Sequence, residues 1–268
     1  MSVNDDAVSG GSRDRSRSLA LYLTRRGGLP GLALDLAFVG WLIWGFDAIN
    51  NFAPVRQWLA ERNGRGVLSL ERTLHLAPEH ALNAWLSSRA TLSQIVVFWY
   101  ENVHIVVTLV VIVLVWWRRP EILRSSQATL VIVNMIALAV FWALPVAPLR
   151  MLPGYVDLVA VTDHLPPWRL GATALHSNQL CSLPSLHIAW ATWSSIAVWR
   201  MTDRRVLRVA AVVYPLVTTF AVMATANHYL ADAVSGAAIT LTVFFVQRAM
   251  RRPPGGVLPG QPAVEQGL

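Results

Sequence analysis

The sequence contains no lysine, so all 22 of its basic residues are arginine. Charged residues of both signs make up only 14% of the 268 residues, whereas hydrophobic residues make up 54%. Cys181 is the single cysteine, which excludes an intrachain disulfide and a cysteine-rich zinc site. Soluble domains have about 25% charged residues, so this composition indicates one integral membrane domain.

The arginines are scattered between apolar segments and form no single basic face. This distribution argues against nucleic-acid binding and favours a role in membrane orientation. With a cytoplasmic N-terminus, fifteen arginines fall on the cytoplasmic side: five in the N-terminal tail, three after the second apolar run, four between 200 and 208, and three between 248 and 252. The other seven fall outside, which predicts that both termini are cytoplasmic in a plasma-membrane protein.

Six apolar runs each approach the ~20 residues that a helix needs to cross a bilayer. They predict an all-α integral membrane protein with six transmembrane helices between residues 32 and 250. The runs cover residues 32–49, 92–117, 127–144, 185–201, 206–226 and 229–250. Residues 1–31 and 251–268 are predicted to be disordered cytoplasmic tails.

The outer loop between the first two runs, residues 50–91, has a helical periodicity of its own. Apolar residues recur with helical spacing on both sides of Pro78, so we expect two short amphipathic helices on the outer leaflet. The polar sides of these helices carry Glu71, Arg72, His75, Glu79, His80 and Arg89. They are interpreted as part of a solvated face, with contact to a substrate headgroup as the alternative.

His228 and Asp232 form the first of two histidine motifs at the edges of apolar runs. Their spacing of four residues places both side chains on one helix face. An aspartate that accepts from one imidazole nitrogen fixes the tautomer and leaves the other nitrogen free to react. An unpaired carboxylate within an apolar run is costly, so His228 is the expected partner of Asp232.

The second motif contains Pro184, Ser185 and His187. Proline is tolerated in the first helical turn, so the fourth helix should begin between residues 182 and 185 with its backbone N–H groups available to an anion. Ser185 can donate its hydroxyl to a phosphate oxygen, and His187 can protonate a leaving oxygen. A lone histidine at a helix end is more often structural, but the two motifs together indicate a catalytic centre.

Three further polar residues have two interpretations each. Tyr100 and His104 share a face of the second run, where an interhelical hydrogen bond and an active-site role are equally supported. Arg150 follows the third run in a proline-containing segment. It is either an arginine that reaches to the membrane interface or a phosphate ligand on the side of the two histidines.

These motifs resemble those of the lipid-phosphate phosphatase (PAP2) superfamily, and of its inositolphosphotransferase-like branch in particular. Pro184 to His187 is similar to the second motif, and His228 with Asp232 matches the third. Residues that also fit are Tyr100, His104, Pro145, Pro148, Arg150, Trp190, Tyr229 and Gly236. Val222 stands where the phosphatase-type motif has an arginine, and the lysine of the first motif is absent, so the chain departs from the simple phosphatase pattern.

The resemblance implies a PAP2-like helical bundle that acts through a phosphohistidine without metal or cofactor. His228 would attack phosphorus, Asp232 would orient it, and His187 would protonate the leaving group and then activate the acceptor. The residues implied in substrate binding are Ser185, Arg150, Tyr100 and His104. Helix N-terminal amides would add to the stabilisation of the phosphate charge.

The implied substrate is a lipid phosphate, from a phospholipid or an isoprenoid, at the extracytoplasmic face of the membrane. Water as acceptor makes the protein a phosphatase, whereas a lipid or polyol hydroxyl makes it a phosphotransferase, for example of an inositol-phosphate headgroup. A vanadate haloperoxidase is a third possibility, although the resemblance there is to soluble chains. A non-catalytic membrane scaffold or transporter is a fourth, and the oligomeric state stays open.

Overall fold

A computed structural model describes residues 56–162 and 180–251, with scattered residues between 31 and 41. All regular secondary structure in these residues is helical. The predicted tails, residues 1–31 and 251–268, lie outside the described residues except at Gly31 and Arg251. Much of the first predicted span also lies outside them.

Eight α-helices organise residues 56–162 and 180–251. They are α1 (Gln57–Thr73), α2 (Glu79–Ser87), α3 (Ala90–Arg118), α4 (Pro120–Ala143), α5 (Leu158–Val161), α6 (Leu186–Met201), α7 (Arg205–Ala224) and α8 (Leu230–Met250). A 3₁₀ turn, Leu149–Met151, follows α4. Helix α3 contains a π-helical turn, Trp99–Val103, near its middle.

Four of these helices, α3, α4, α7 and α8, are long and apolar enough to cross a membrane. They coincide with the second, third, fifth and sixth predicted runs, which confirms the helical membrane-protein class. The six-span topology and the orientation of the termini stay predictions. Helix α4 begins at Pro120 and not at Gln127, because proline suits the first helical position and the helix extends beyond its apolar part.

The fourth predicted run corresponds to α6, which lies at the centre of the bundle. This helix has 16 residues and contacts α3, α4, α7 and α8. Its two buried tryptophans pack into the main hydrophobic core, and Trp193 also donates its indole N–H to the Ser126 carbonyl at 2.9 Å. The surrounding helices therefore fix the position of α6 and of the motif at its N-terminus.

Helix α8 crosses the start of α6 at very close range. A Cβ atom on Gly236 would lie 2.3 Å from the Ser185 carbonyl oxygen, so no larger residue fits there without a backbone shift. One turn later, the Thr240 hydroxyl donates to the Ala189 carbonyl at 3.2 Å. Small residues permit such close crossings between membrane helices, and this crossing brings the two histidine motifs together.

The two helices predicted in the outer loop are present as α1 and α2, with Pro78 at the break between them. The interpretation of the polar sides as a solvated face is correct for the exposed residues, which are Arg72, His75, His80 and Arg89. For Glu71 and Glu79 it was wrong. Their exposed fractions are 4% and 0%, and they accept hydrogen bonds from backbone N–H groups at the start of α8. Glu71 of α1 and Glu79 of α2 therefore face the N-terminus of α8.

Candidate active site

His228 occupies the turn between α7 and α8, two residues before the first helical residue of α8, Leu230. The turn passes through Ala226, whose φ of 56° lies in the left-handed region. Its backbone is tied to neighbouring segments, since the Ala226 carbonyl accepts from the Arg150 N–H at 2.8 Å. His228 is 5% exposed. A buried and well-bonded turn therefore fixes the imidazole.

The predicted contact between His228 and Asp232 is present, although His228 precedes α8 and does not lie on the same helix face as Asp232. Nδ1 of His228 lies 3.2 Å from Oδ2 of Asp232 and 3.0 Å from the Ser182 carbonyl oxygen. Because both of these oxygens are acceptors, the proton of a neutral His228 is on Nδ1. Nε2 then carries a lone pair, and this atom lies 3.2 Å from Nδ1 of His187.

Asp232 is fully buried and has three donors around one carboxylate oxygen. Besides Nδ1 of His228, its Oδ2 accepts from the Tyr229 N–H at 3.0 Å and from the Ser182 hydroxyl in a short hydrogen bond. The bond from Tyr229 caps the first turn of α8. Asp232 therefore holds both the imidazole and the start of its own helix.

Ser182 is a site residue that the sequence did not identify. A short pairing with the segment after α4 holds it in place: the Ser182 N–H donates to the Val146 carbonyl, and the Val146 N–H donates to the Leu180 carbonyl, both at 3.1 Å. Ser182 and Asp232 are 50 residues apart, so no local spacing relates them. Its place just before the proline motif was the only available signal.

Ser185 and His187 lie at the N-terminus of α6. Ser185 is the N-cap residue, and its hydroxyl oxygen accepts from the Ile188 N–H at 3.4 Å. Pro184 precedes this cap, so its predicted place in the first helical turn was wrong. The Ser185 N–H donates to the Asp232 carbonyl at 3.0 Å. This N–H group of the expected anion site is therefore bonded within the protein.

Tyr100 in the π-helical turn of α3 and His104 directly after that turn both face His187. The Tyr100 ring stacks on His187 with centroids 4.7 Å apart, and the His104 ring centroid lies 4.1 Å from that of His187. Nδ1 of His104 contacts the Tyr100 carbonyl at 3.0 Å. A π turn inserts one residue into a helix and is frequent at functional sites. The structure therefore places both residues at the site.

Arg150 packs against the turn that carries His228. Its guanidinium donates to the side-chain oxygen of Asn227 and lies 3.3 Å from the carboxylate of Asp157. The Arg150 side chain is 13% exposed, so most of it is buried. Sequence reasoning did not identify Asn227, which connects Arg150 to the residue before His228.

The residues described by the structure contain no group of three His, Cys, Asp or Glu side chains that could hold a metal ion. The ring of His187 contacts those of His104 and His228, and the ring nitrogens of His104 and His228 have further contacts with protein oxygen atoms. Their arrangement fits proton transfer and nucleophilic attack between imidazoles and a substrate.

A family model described as PAP2 superfamily matches residues 65–246, which is more than half of the chain. The chain belongs to the PAP2 superfamily. The match includes α2, part of α1, and every predicted site residue. No curated protein and no solved structure matches this chain. Membership of the superfamily indicates phosphatase-type or phosphotransferase activity, and the four apolar helices agree with a membrane protein.

Val222 marks a difference between this PAP2 chain and the phosphatase-type motif. It is fully buried and packs with Ile188, Met223 and Ala233 in an apolar cluster. An arginine at this position would need space and a partner for its charge. The side chains of this cluster are apolar, so valine suits position 222 better than a charged residue does.

Proposed function

We propose that this PAP2 protein is a membrane-embedded phosphatase or phosphotransferase that acts on a phospholipid or isoprenoid phosphate through a phosphohistidine. The observation that carries the proposal is the arrangement of His228, with Nδ1 facing Asp232 and Nε2 facing His187. Membership of the superfamily supports the same reaction class. In the proposal, protein groups supply the nucleophile, the acid and base, and the donors to the phosphate, so its steps include no metal and no cofactor.

In the first step, Nε2 of His228 attacks phosphorus while the bond from phosphorus to the leaving oxygen breaks. Protonated His187 donates its proton to that oxygen, so the leaving group departs as an alcohol. The phosphorylated imidazole of His228 carries a positive charge, which the carboxylate of Asp232 stabilises. The burial of Asp232 strengthens this interaction because little water competes for the charge.

In the second step, an acceptor hydroxyl attacks phosphorus and the bond to Nε2 breaks, returning its electron pair to His228. His187 is neutral after the first step and removes the proton of the acceptor. Water as acceptor yields free phosphate, and an alcohol yields a transferred phosphoryl group. Both steps therefore use the same two histidines, with His187 alternating between acid and base.

The negative charge on the phosphate oxygens requires donors near the two histidines. In the proposal, the Ser185 hydroxyl and the Arg150 guanidinium supply them, together with amides at the start of α6. Tyr100 and His104 line the same site through their ring contacts with His187. Those contacts support a role in positioning His187 and the substrate.

Transfer of an inositol-phosphate headgroup to a lipid acceptor is the second candidate function. The observation in its favour is the buried Val222, at the position where the phosphatase-type motif has an arginine. Leu186 and Trp190 also fit the inositolphosphotransferase-like branch. A site with fewer cations suits a phosphodiester, which carries less negative charge than a phosphomonoester.

Purified protein incubated with a panel of labelled phospholipids and isoprenoid phosphates, with and without inositol, tests both candidates. Release of inorganic phosphate supports the phosphatase, and label in a new lipid that depends on the headgroup donor supports the transferase. If no panel member yields either product or a phosphorylated protein, the chain is a scaffold or transporter and the proposal is wrong.

We also propose that the site lies at the extracytoplasmic face of the plasma membrane, because the arginine distribution favours cytoplasmic termini. In a Cys181→Ser background, Val161→Cys and Asp203→Cys introduce exposed thiols in a predicted outer and a predicted inner loop. A membrane-impermeant thiol reagent should label intact cells only through the first of these variants. The reverse labelling pattern would overturn this orientation.

A further inference from the structure

Glu71 and Glu79 connect the two outer-loop helices to the N-terminus of α8. Glu71 belongs to the last turn of α1, and its Oε1 accepts from the Ala231 N–H at 2.7 Å. Glu79 is the first residue of α2, and its Oε1 accepts from the Leu230 N–H at 2.8 Å. The first N–H groups of a helix have no partner within the helix, so both glutamates serve as external caps.

Together with Asp232, the two glutamates satisfy three consecutive backbone donors. The Tyr229, Leu230 and Ala231 N–H groups each donate to a different carboxylate. These carboxylates come from α8, α2 and α1 respectively. Two outer-loop elements therefore contact the single helical turn that carries Asp232.

Three carboxylates at the start of α8 are more than a helix N-terminus needs for capping. One Ser, Thr, Asp or Asn side chain normally caps a helix. Here two additional carboxylates are buried at 4% and 0% exposure, and burial of charge is costly. The positive end of the helix dipole offsets part of that cost. Capping alone does not explain why two buried acids come from a separate segment.

Tyr229 adds a third connection between α1 and this turn. Its buried hydroxyl donates to the Ala147 carbonyl at 2.9 Å. A Cβ atom on Gly64 of α1 would lie 2.6 Å from that hydroxyl oxygen. Helix α1 therefore lies directly over Tyr229, and the outer-loop helices and the start of α8 form one packed unit.

We propose that Glu71 and Glu79 are positioning residues that hold the first turn of α8 where Asp232 meets Nδ1 of His228. This inference rests on the proposed function of His228. The glutamates contact backbone N–H groups and not the imidazole, so they act through Leu230 and Ala231. Displacement of this turn moves Asp232, and an imidazole without its aspartate loses its orientation.

Glu→Ala and Glu→Gln substitutions at each position test the proposal in purified full-length protein with the substrate found for the wild type. The glutamine side chain keeps an acceptor oxygen at the same reach, whereas alanine removes it. We expect each Ala variant to lose up to ~10²-fold in kcat with little change in KM, since a displacement of about 1 Å has that cost. Each Gln variant should recover most of the loss.

Two further measurements keep the test independent of folding. The amount of phosphorylated enzyme formed in the first turnover counts active molecules, and kcat is expressed per active molecule. Glu79→Asp provides a variant that keeps the charge but is one methylene shorter, and its kcat should fall as well.

Glu61→Ala and Glu61→Gln are matched controls, because Glu61 lies on α1 like Glu71 and pairs with Arg65 at 3.5 Å. Both controls should retain wild-type kcat.

Wild-type kcat per active molecule in the Ala variants or in Glu79→Asp would overturn the proposal. It would also be overturned if KM changed and kcat did not, or if Gln lowered kcat as much as Ala. Failure of the proposed function looks different, because the wild-type protein itself would then form no phosphorylated intermediate.

Discussion

Nε2 of His228 and Nδ1 of His187 lie 3.2 Å apart, within hydrogen-bonding distance of each other. The proton of a neutral His228 is on Nδ1, so in this pair His187 is the donor and His228 the acceptor. In-line displacement places the leaving oxygen on the side of phosphorus opposite to the attacking Nε2. We therefore expect a bound phosphate to separate the two rings, with His187 reaching the leaving oxygen.

This relationship predicts different outcomes for the two histidine variants. His228→Ala should abolish the phosphorylated intermediate, because the attacking atom is gone. His187→Ala should still form it from a nitrophenyl phosphate ester, whose leaving group needs no acid. Turnover should then stop, since no base activates the acceptor. Acid-labile, base-stable labelled phosphate on the purified protein measures both outcomes.

Asp232→Asn serves as the control for orientation in the same assay. It leaves both imidazoles in place but changes the partner of Nδ1, and loss of such an aspartate costs ~10⁴ in rate elsewhere. Slow formation of the intermediate is therefore expected. If label accumulates on the His228→Ala protein and never on the His187→Ala protein, the two assigned roles are reversed.

The contact of His228 with Asp232 could be predicted because it is local. Asp232 is only four residues after His228, so the contact remains within reach although His228 lies in the turn before α8 and not on the helix. The contacts of Ser182 with Asp232 and of Glu71 with Ala231 span 50 and 160 residues, and they depend on how separate segments pack. No periodicity contains that information, so sequence reasoning missed Ser182 and assigned Glu71 to a solvated face.

The helices show the same difference between local and distant information. Apolar runs predicted the helices, since a bilayer requires a continuous stretch of such residues. The cap at Ser185 was harder to place, because Pro184 fits either the first turn or the residue before the cap. The structure puts Pro184 before the cap, where the Ser185 N–H remains available to donate to the Asp232 carbonyl.

Gly236→Ala should lower both stability and activity. Its Cβ would lie 2.3 Å from the Ser185 carbonyl oxygen, so the backbones of α6 and α8 must move apart. Overpacking typically costs about 1–3 kcal/mol, and the movement separates Ser185 and His187 from Asp232. A lower thermal midpoint in detergent together with a lower kcat is expected.

Gly66→Ala is the matched control for this substitution. A Cβ at Gly66 of α1 has no atom within 4 Å, and alanine is favoured over glycine inside a helix by about 0.5–1 kcal/mol. Its thermal midpoint should equal or exceed that of the wild type, with unchanged kcat. Wild-type kcat in Gly236→Ala would mean that the crossing of α6 and α8 does not set the catalytic geometry.

Arg150→Ala should weaken catalysis more than folding. A donor that stabilises the charge of a transition state contributes ~10²–10³ in rate, whereas the turn before His228 retains its backbone bonds. Arg150→Lys should recover part of the loss, because it restores the charge without the two-pronged donor. Asp157→Asn removes the carboxylate next to Arg150 and should keep the activity. Wild-type turnover in purified Arg150→Ala would limit this residue to its bond with Asn227.

Glu71 should make the stability of the protein depend on pH. Burial, reinforced by the charges of Glu79 and Asp232 and opposed by the hydrogen bond from Ala231, raises the pKa of Glu71 from 4.5 to about 7. The folded protein thus binds this proton more tightly than the unfolded chain. The associated stability is fully present below about pH 4.5 and is lost as the pH rises through about 7.

Replacement of Glu71 by glutamine isolates this contribution. Glutamine does not titrate but keeps an acceptor for Ala231, so the thermal midpoint of Glu71→Gln in detergent should fall less between pH 5 and pH 8 than that of the wild type. The other titratable groups near Glu71, which are Glu79, Tyr155, Tyr229 and Asp232, are present in both proteins and enter both measurements. Glu61→Gln removes a partly exposed acid from the same helix and should retain the wild-type fall. An equal fall in the wild type and in Glu71→Gln would show that Glu71 is ionised throughout this range, with its charge fully stabilised by the N-terminus of α8.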